Sequence, residues 1–261
     1  MGKLTLYDIK QLKGKRQLSQ VFVTSVDEAA ACEAAGVDML CTMGGNVAEF
    51  RGAAPNVFMI GAVGGGEASD ADAIKSGMGA MGAGADAVYT GVSTVRVKAM
   101  AQEMIPVVGH IGLVPYRSSW YGGLRAIGKT AEEAMQIYRD AMAYQEAGAI
   151  GVEIEVVPHQ IATEIAKRVD ICLISMGAGT GCDVQYLFGC DVLGTHDGHY
   201  PRHAKKYRNL KEDFDRIQKE RIAGFKEYSD EVHSGAYPEP SQIVESKPEV
   251  LEEFVKMLEN E

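Results

Sequence analysis

The feature that most restricts the fold is an alternation of short apolar runs with helix-like segments through the first three quarters of the chain. The runs are rich in Val, Ile and Ala and do not alternate with polar residues. That is the pattern of parallel strands covered on both faces. Strands are predicted at residues 18–23, 37–42, 56–62, 85–89, 106–110, 150–156 and 171–175. Helices are predicted between them at 26–35, 70–81, 94–103, 130–147 and 159–168. Ser69 or Asp70 caps the helix at 70–81, and Thr130 the helix at 130–147, with Glu133 in capping-box spacing. Residues 184–188 read as a short helix and 191–193 as a last short strand. About eight strand–helix units in roughly 200 residues predict an α/β protein, a (β/α)8 TIM barrel with extra C-terminal helices. A doubly wound open sheet is the second choice, but no phosphate fingerprint follows the first strand.

The barrel is expected to span residues 1–210. Beyond it the composition turns polar, with a charged helix over 211–226, a break at 237–240 and an acidic helix over 248–261. This 211–261 extension has little core to offer and is expected to pack on the barrel or a neighbouring subunit. The longest irregular stretches, 51–56 and 116–129, are expected at the catalytic end, where the βα loops of a barrel lie.

Composition excludes several partners. The 261 residues carry 36 Asp and Glu against 26 Lys and Arg, a net charge of −10, which argues against a nucleic-acid-binding face. No run of 18 apolar residues is present, so no membrane span is expected. The first residues lack an apolar core and a small-residue cleavage site, so no secretory signal is expected. The five cysteines form no C-x-x-C pair, which excludes a zinc ribbon and points to reduced thiols in the cytoplasm.

Several residues are candidates for chemistry. The glycines of 61–66 suit either tight turns or an anion site, with turns preferred because neither a dinucleotide fingerprint nor a P-loop is present. Those of 77–84 suit close packing and a helix end. Glu153 and Glu155 lie two apart, so on a strand they share a face, which is costly in a buried site unless the pair is partnered or functional. Glu155 is then either a partly solvated loop residue or a general base at a strand's carboxyl end. His110 ends the preceding predicted strand, either as a core histidine or as a catalytic one. His196, His199 and His203 invite a metal reading, which Gly198 and Pro201 weaken by breaking the helix that the spacing needs. Arg117 and Arg125, among Tyr116, Trp120 and Tyr121, suit either carboxylate binding or a solvated or subunit-contacting loop.

A series of motifs then follows in order: Gly109-His-Ile-Gly-Leu113, Gly122-Gly123, Gly128-Lys-Thr130, Glu155-Val-Val-Pro158, Gly177-Ala-Gly179 with Cys182-Asp183 and Gln185, and Asp191-Val-Leu-Gly194. Asp197-Gly198, Pro201 and Lys206-Tyr207 continue it, and Glu33-Ala-Ala-Gly-Val-Asp-Met39 precedes it. In spacing and sequence the chain resembles the ketopantoate hydroxymethyltransferase (3-methyl-2-oxobutanoate hydroxymethyltransferase) family over about three quarters of its length. The resemblance implies a barrel of the phosphoenolpyruvate/pyruvate superfamily and a homo-oligomer. It implies an enolate formed from a 2-oxo acid that attacks the one-carbon unit of methylenetetrahydrofolate, with Mg²⁺ on the 2-oxo acid. Glu155 matches the family's general base, and His110 a histidine near the substrate.

The departures lie on the other side of the barrel. The family's Gly-Asp-Ser, with its metal aspartate, reads Met43-Gly44-Gly45 here. The family's second metal-side aspartate, after the third strand, is replaced near Val63, and Lys-x-Glu becomes Tyr89-Thr90-Gly91. The Tyr-Asp near the first strand is Thr24-Ser25. Without those carboxylates a Mg²⁺ site of the usual hard-oxygen kind is not expected. Gly44, Gly45, Val63 and Tyr89, with Arg117 and Arg125, are the expected substrate contacts, in an enlarged pocket with backbone N–H donors. The expected activity is formation or cleavage of a C–C bond next to a carbonyl, on an altered carbonyl or organic-acid substrate. Another lyase or isomerase of the superfamily and a non-catalytic ligand-binding oligomer are the alternatives.

Overall fold

Strands with no polar face need cover on both sides, and a barrel wrapped in helices supplies it. In the computed structural model, which describes residues 2–64 and 66–260, eight parallel strands close in chain order. They are β1 (Leu18–Phe22), β2 (Met39–Met43), β3 (Phe58–Ala62), β4 (Ala87–Tyr89), β5 (Val107–Gly112), β6 (Gly151–Glu155), β7 (Cys172–Met176) and β8 (Val184–Phe188). The ring closes by β8 pairing with β1 from Leu18 opposite Val184 to Phe22 opposite Phe188. The helices are α1 (Leu6–Leu12), α2 (Val26–Ala34), α3 (Val47–Ala53), α4 (Asp70–Gly82), α5 (Thr94–Gln102), α6 (Ala131–Glu146), α7 (His159–Ala166) and α8 (Gly189–Leu193). The fold is therefore the expected (β/α)8 barrel.

Alternate strand residues divide the core. Leu18, Met39, Phe58, Ile60, Val108, Ile174 and Val184 form one cluster with the partly buried Tyr89. Leu40, Met59, Val88, Val107, Val152, Ile154 and Leu173 form the other, with helix residues such as Val97 and Ala141. Each such Leu, Ile or Val contributes about 1.5–3 kcal/mol by leaving water. Helices α2, α4 and α6 start on side-chain caps: Ser25, Ser69 and Thr130 each accept a backbone N–H three residues on. Gly77 lets α4 approach its neighbours, since a Cβ there would meet Met100 Cε at 2.8 Å and Ile105 Cδ1 at 3.1 Å.

The structure corrects several expectations. Residues 184–188 form a strand, not a helix, because Val184 and Tyr186 turn inward while Gln185 and Leu187 remain partly exposed. Residues 191–193 are helical, in a short turn that Gly194 ends at φ +65°. Helices α1 and α3 were not expected. Arg51 belongs to α3, so 51–56 is not a loop at the catalytic end; it leads into the amino end of β3, where Arg51 binds the Gly84 and Val57 carbonyls and Asp86. The stretch 116–129 does follow a strand's carboxyl end, and it opens with a 3-10 turn, Pro115–Tyr121. Glu133 does not complete a capping box; its carboxylate accepts from the Gly128 and Lys129 N–H groups and from Arg125.

The described residues fall into two compact units, one ending at Arg208 and the other beginning at Asn209. The second holds α9 (Leu210–Ser234) and α10 (Pro248–Leu258), and neither helix contains a buried residue.

Candidate active site

Strands β5 and β6 build the site. Their register sets His110 opposite Glu153 and Gly112 opposite Glu155. His110 Nε2 lies 3.0 Å from Glu155 Oε2 and 3.9 Å from Glu153 Oε1. On the other side of the ring, Nδ1 shares a 2.6 Å hydrogen bond with the Tyr89 hydroxyl at the end of β4. Backbone shape allows this approach. Gly112 has φ +80°, and a Cβ there would sit 2.5 Å from the Glu155 carbonyl oxygen. Val156 holds φ +48°, a strained conformation for a β-branched residue, so the chain turns sharply just after Glu155.

Burial sets the electrostatics. His110 and Glu153 are almost fully enclosed, whereas the Glu155 side chain keeps 13% exposure and faces outward more than Glu153 at 5%. Burial pulls the imidazole toward its neutral form, but the Glu153 and Glu155 carboxylates outweigh it, and His110 titrates above the ordinary histidine value. Burial pushes the Glu153 carboxyl up, with Glu155 adding to the rise and His110 opposing it. Burial also holds the Tyr89 phenol well above its usual range, assisted by Glu153. The groups therefore exchange protons as a set rather than singly. A thiol nucleophile is absent from this chemistry: burial pushes Cys41 up to about 12, away from the reactive thiolate.

The other expected residues divide into three groups. Glu155, His110 and Tyr89 come together. Gly44 and Gly45 form a 3-10 turn after β2, where a Cβ on Gly44 would lie 3.1 Å from the Ala62 carbonyl oxygen and 3.3 Å from Val63. The Val63 N–H is spent on the Tyr89 carbonyl. Gly65, in the glycine run 61–66, lies outside the described residues. Arg117 donates to the Gly91 carbonyl and lies against Tyr116. Arg125 is held by Glu133 and by the Tyr121 and Ala126 carbonyls, in the loop and not in the His110 cluster.

Sequence reasoning did not foresee the Tyr89–His110 bond, or Glu153 as a member of the cluster. The two-residue spacing of the carboxylates was the signal for Glu153. No signal announced Gln20 on β1, whose buried Oε1 has no partner among the described atoms.

Two groups among the described residues bring metal-ligating atoms within 4.8 Å of one another: His110 with Glu153 and Glu155, and Cys190 with Asp191 and His196. In the second, His196 Nε2 already bonds Asp191 at 2.9 Å and Nδ1 accepts the Gly198 N–H, so the ring is satisfied without an ion. Neither group contains His199 or His203. At the carboxyl ends of β2, β3 and β4 the positions 43–45, 63 and 89–91 carry no carboxylate. Glu67 is close to this wall, its Oε2 3.8 Å from where a Cβ on Gly64 would lie. These positions by themselves do not supply the hard-oxygen set that Mg²⁺ takes.

A family model described as ketopantoate hydroxymethyltransferase matches residues 48–240. The 3-methyl-2-oxobutanoate hydroxymethyltransferase 1 of Methylibium petroleiphilum is 39% identical over 163 residues, 62% of this chain and 53% of that protein. The match thus spans about half the length of that relative. The 3-methyl-2-oxobutanoate hydroxymethyltransferase of Alkaliphilus metalliredigens is 31% identical over 98% of this chain and 98% of its own. Among solved structures, a 2,3-dimethylmalate lyase of the PEP mutase/isocitrate lyase superfamily superposes with a TM-score of 0.54 at 12% identity, covering 98% of this chain and 96% of that one. At such identity the likeness concerns the fold alone.

Proposed function

The chain belongs to the ketopantoate hydroxymethyltransferase family, and from that premise we propose that it is an enzyme forming or breaking a C–C bond next to a carbonyl, with Glu155 as general base. The observation that carries this reading is the 3.0 Å contact of Glu155 with His110 at the mouth of a closed barrel. Glu155 takes the proton from the carbon beside the carbonyl. The C–H electron pair becomes the enolate double bond, and the carbonyl oxygen takes the negative charge. His110 orients Glu155 through Nε2, while the Tyr89 hydroxyl fixes the imidazole from the Nδ1 side.

We place the substrate away from the family's Mg²⁺-bound 2-oxo acid. An enolate needs positive charge or hydrogen-bond donors at its oxygen, worth several kcal/mol. The glycine turn at Gly44–Gly45 supplies backbone donors in place of the lost carboxylates, and suits a bulkier or anionic carbonyl compound. The partner is a small carbonyl or organic-acid substrate. Methylenetetrahydrofolate, which the resemblance implies, has no residue assigned to it here.

The chain works as a homo-oligomer in this reading. Its support is the apolar residues left exposed on α9 and α10, among them Phe214, Phe225, Leu251 and Phe254. The five free thiols suit the cytoplasm. Among the described residues no helix is long and apolar enough to cross a membrane.

The test is deuterium uptake from D2O into a panel of carbonyl acids, read by mass spectrometry with and without the protein. Protein-dependent uptake into at least one compound supports the reading. Uptake into none of them overturns it.

A further inference from the structure

The chain segment just after Glu155, from Val156 to Gln160, lines a cavity of about 700 Å³ over the carboxyl ends of β6, β7 and β8. That volume suits a ligand of cofactor size. Lys129, His159, Arg202, His203 and Lys205 line it, and no Asp or Glu does among the described residues. The chain as a whole has ten more acidic than basic side chains, so a wall with three permanent cations and no acid departs from its general charge. Lys205 lies over the Tyr207 ring at 4.8 Å rather than in an ion pair.

The cavity is also shaped by its backbone. Gly177, at φ +72°, carries the His203 ring, for a Cβ there would lie 2.7 Å from its Nδ1. Gly179, at φ +87°, does the same for His159, whose Cβ would be 2.3 Å away. His203 titrates below the ordinary value because burial disfavours its charged form, with the nearby Glu155 opposing. The cavity thus opens close to the proposed base. Like charges held together around an open space repel, and a bound anion removes that cost.

We propose that this cavity is an anion-binding subsite, which takes the phosphate- or carboxylate-bearing end of a ligand. Its placement of that ligand's reacting carbon at Glu155 rests on the reading of Glu155 as base; the anion site itself does not. Arg202 supplies a forked donor, while Lys129 and Lys205 act as point charges.

The experiment is calorimetric titration of the full chain with pyrophosphate and, separately, with a tri-glutamate peptide, at low and high salt. Wild type, the Arg202→Ala/Lys205→Ala double variant, Glu155→Gln and Lys98→Ala are compared. The substituted cations are exposed, so the fold is expected to survive. At least one probe is expected to bind wild type saturably and more weakly in high salt. The double variant is expected to bind it at least about tenfold more weakly, with Lys98→Ala unchanged and Glu155→Gln binding no more weakly. Binding of pyrophosphate alone identifies a phosphorylated ligand, and of tri-glutamate alone a polycarboxylate. Binding of neither, or equal binding by the double variant, overturns the subsite. Anion binding without any deuterium uptake would overturn the base and leave the subsite standing.

Discussion

Glu153 is the register partner of His110 across the β5–β6 ladder, yet its carboxylate stays 3.9 Å from the imidazole. The closer contact goes to Glu155, one pleat further on, at 3.0 Å. A buried acid and a more exposed carboxylate therefore share one ring nitrogen. Both favour the imidazolium, and the closer contact orients the outer carboxylate. Burying such a set is costly unless its members share protons and hydrogen bonds, which is what the geometry arranges.

That arrangement sets a pH dependence. His110 and Glu153 both titrate above their ordinary values of 6.5 and 4.5, so the folded chain binds more protons than the unfolded one. The His110 contribution is complete below 6.5 and is lost as pH rises through its raised folded value. Glu153 has no effect below 4.5; above it the unfolded chain ionises this acid while the folded chain keeps it protonated, which costs stability as pH rises toward the folded value. The unfolding free energy is expected to fall from mildly acidic to mildly alkaline pH, and Glu153→Gln to flatten that fall. Denaturant titrations across the range measure it, and an unchanged slope in the variant contradicts the assignment.

Removing the ring strands two hydrogen-bond partners. His110→Ala leaves the Tyr89 hydroxyl and the Glu155 carboxylate without their shared ring and is expected to lower stability by about 3 kcal/mol. Urea unfolding midpoints at constant m-value test this. A loss below about 0.5 kcal/mol, the size of an ordinary surface substitution, would show that the cluster is not held by His110.

The glycines separate by surroundings. At Gly109, beside His110, a Cβ would lie 2.3 Å from the Tyr144 ring, so Gly109→Ala is expected to cost about 1–3 kcal/mol. At Gly52, within α3, nothing lies within 4 Å, and Gly52→Ala is expected to add about 0.5–1 kcal/mol. Melting temperatures of the two variants should move in opposite directions.

Metal dependence is the fourth test. With 3-methyl-2-oxobutanoate, methylenetetrahydrofolate and excess Mg²⁺, no ketopantoate is expected, and EDTA should leave deuterium uptake unchanged. Magnesium-dependent formation of ketopantoate would return the chain to its family's usual reaction.

Much of this was legible in the sequence. Runs such as residues 37–42 and 56–62 lack a polar face, and that alone implies a covered parallel sheet. The carboxylates at 153 and 155 stood out because charge is rare in such strands. The exchange of strand and helix near Val184 and Asp191 was not legible, since five-residue segments carry too little periodicity to separate the two. The Tyr89 contact and the cation-lined cavity were hidden for another reason. Each joins residues from distant strands and loops, and no local pattern records which of them closure of the barrel will bring together.

The central claim is that Glu155 removes a proton from carbon, and the most direct measurement is the deuterium-exchange rate of Glu155→Gln against wild type on the same carbonyl compound. The variant is expected to unfold at the same denaturant midpoint and to exchange about 10²–10⁴-fold more slowly. An equal rate in a folded variant would contradict the account.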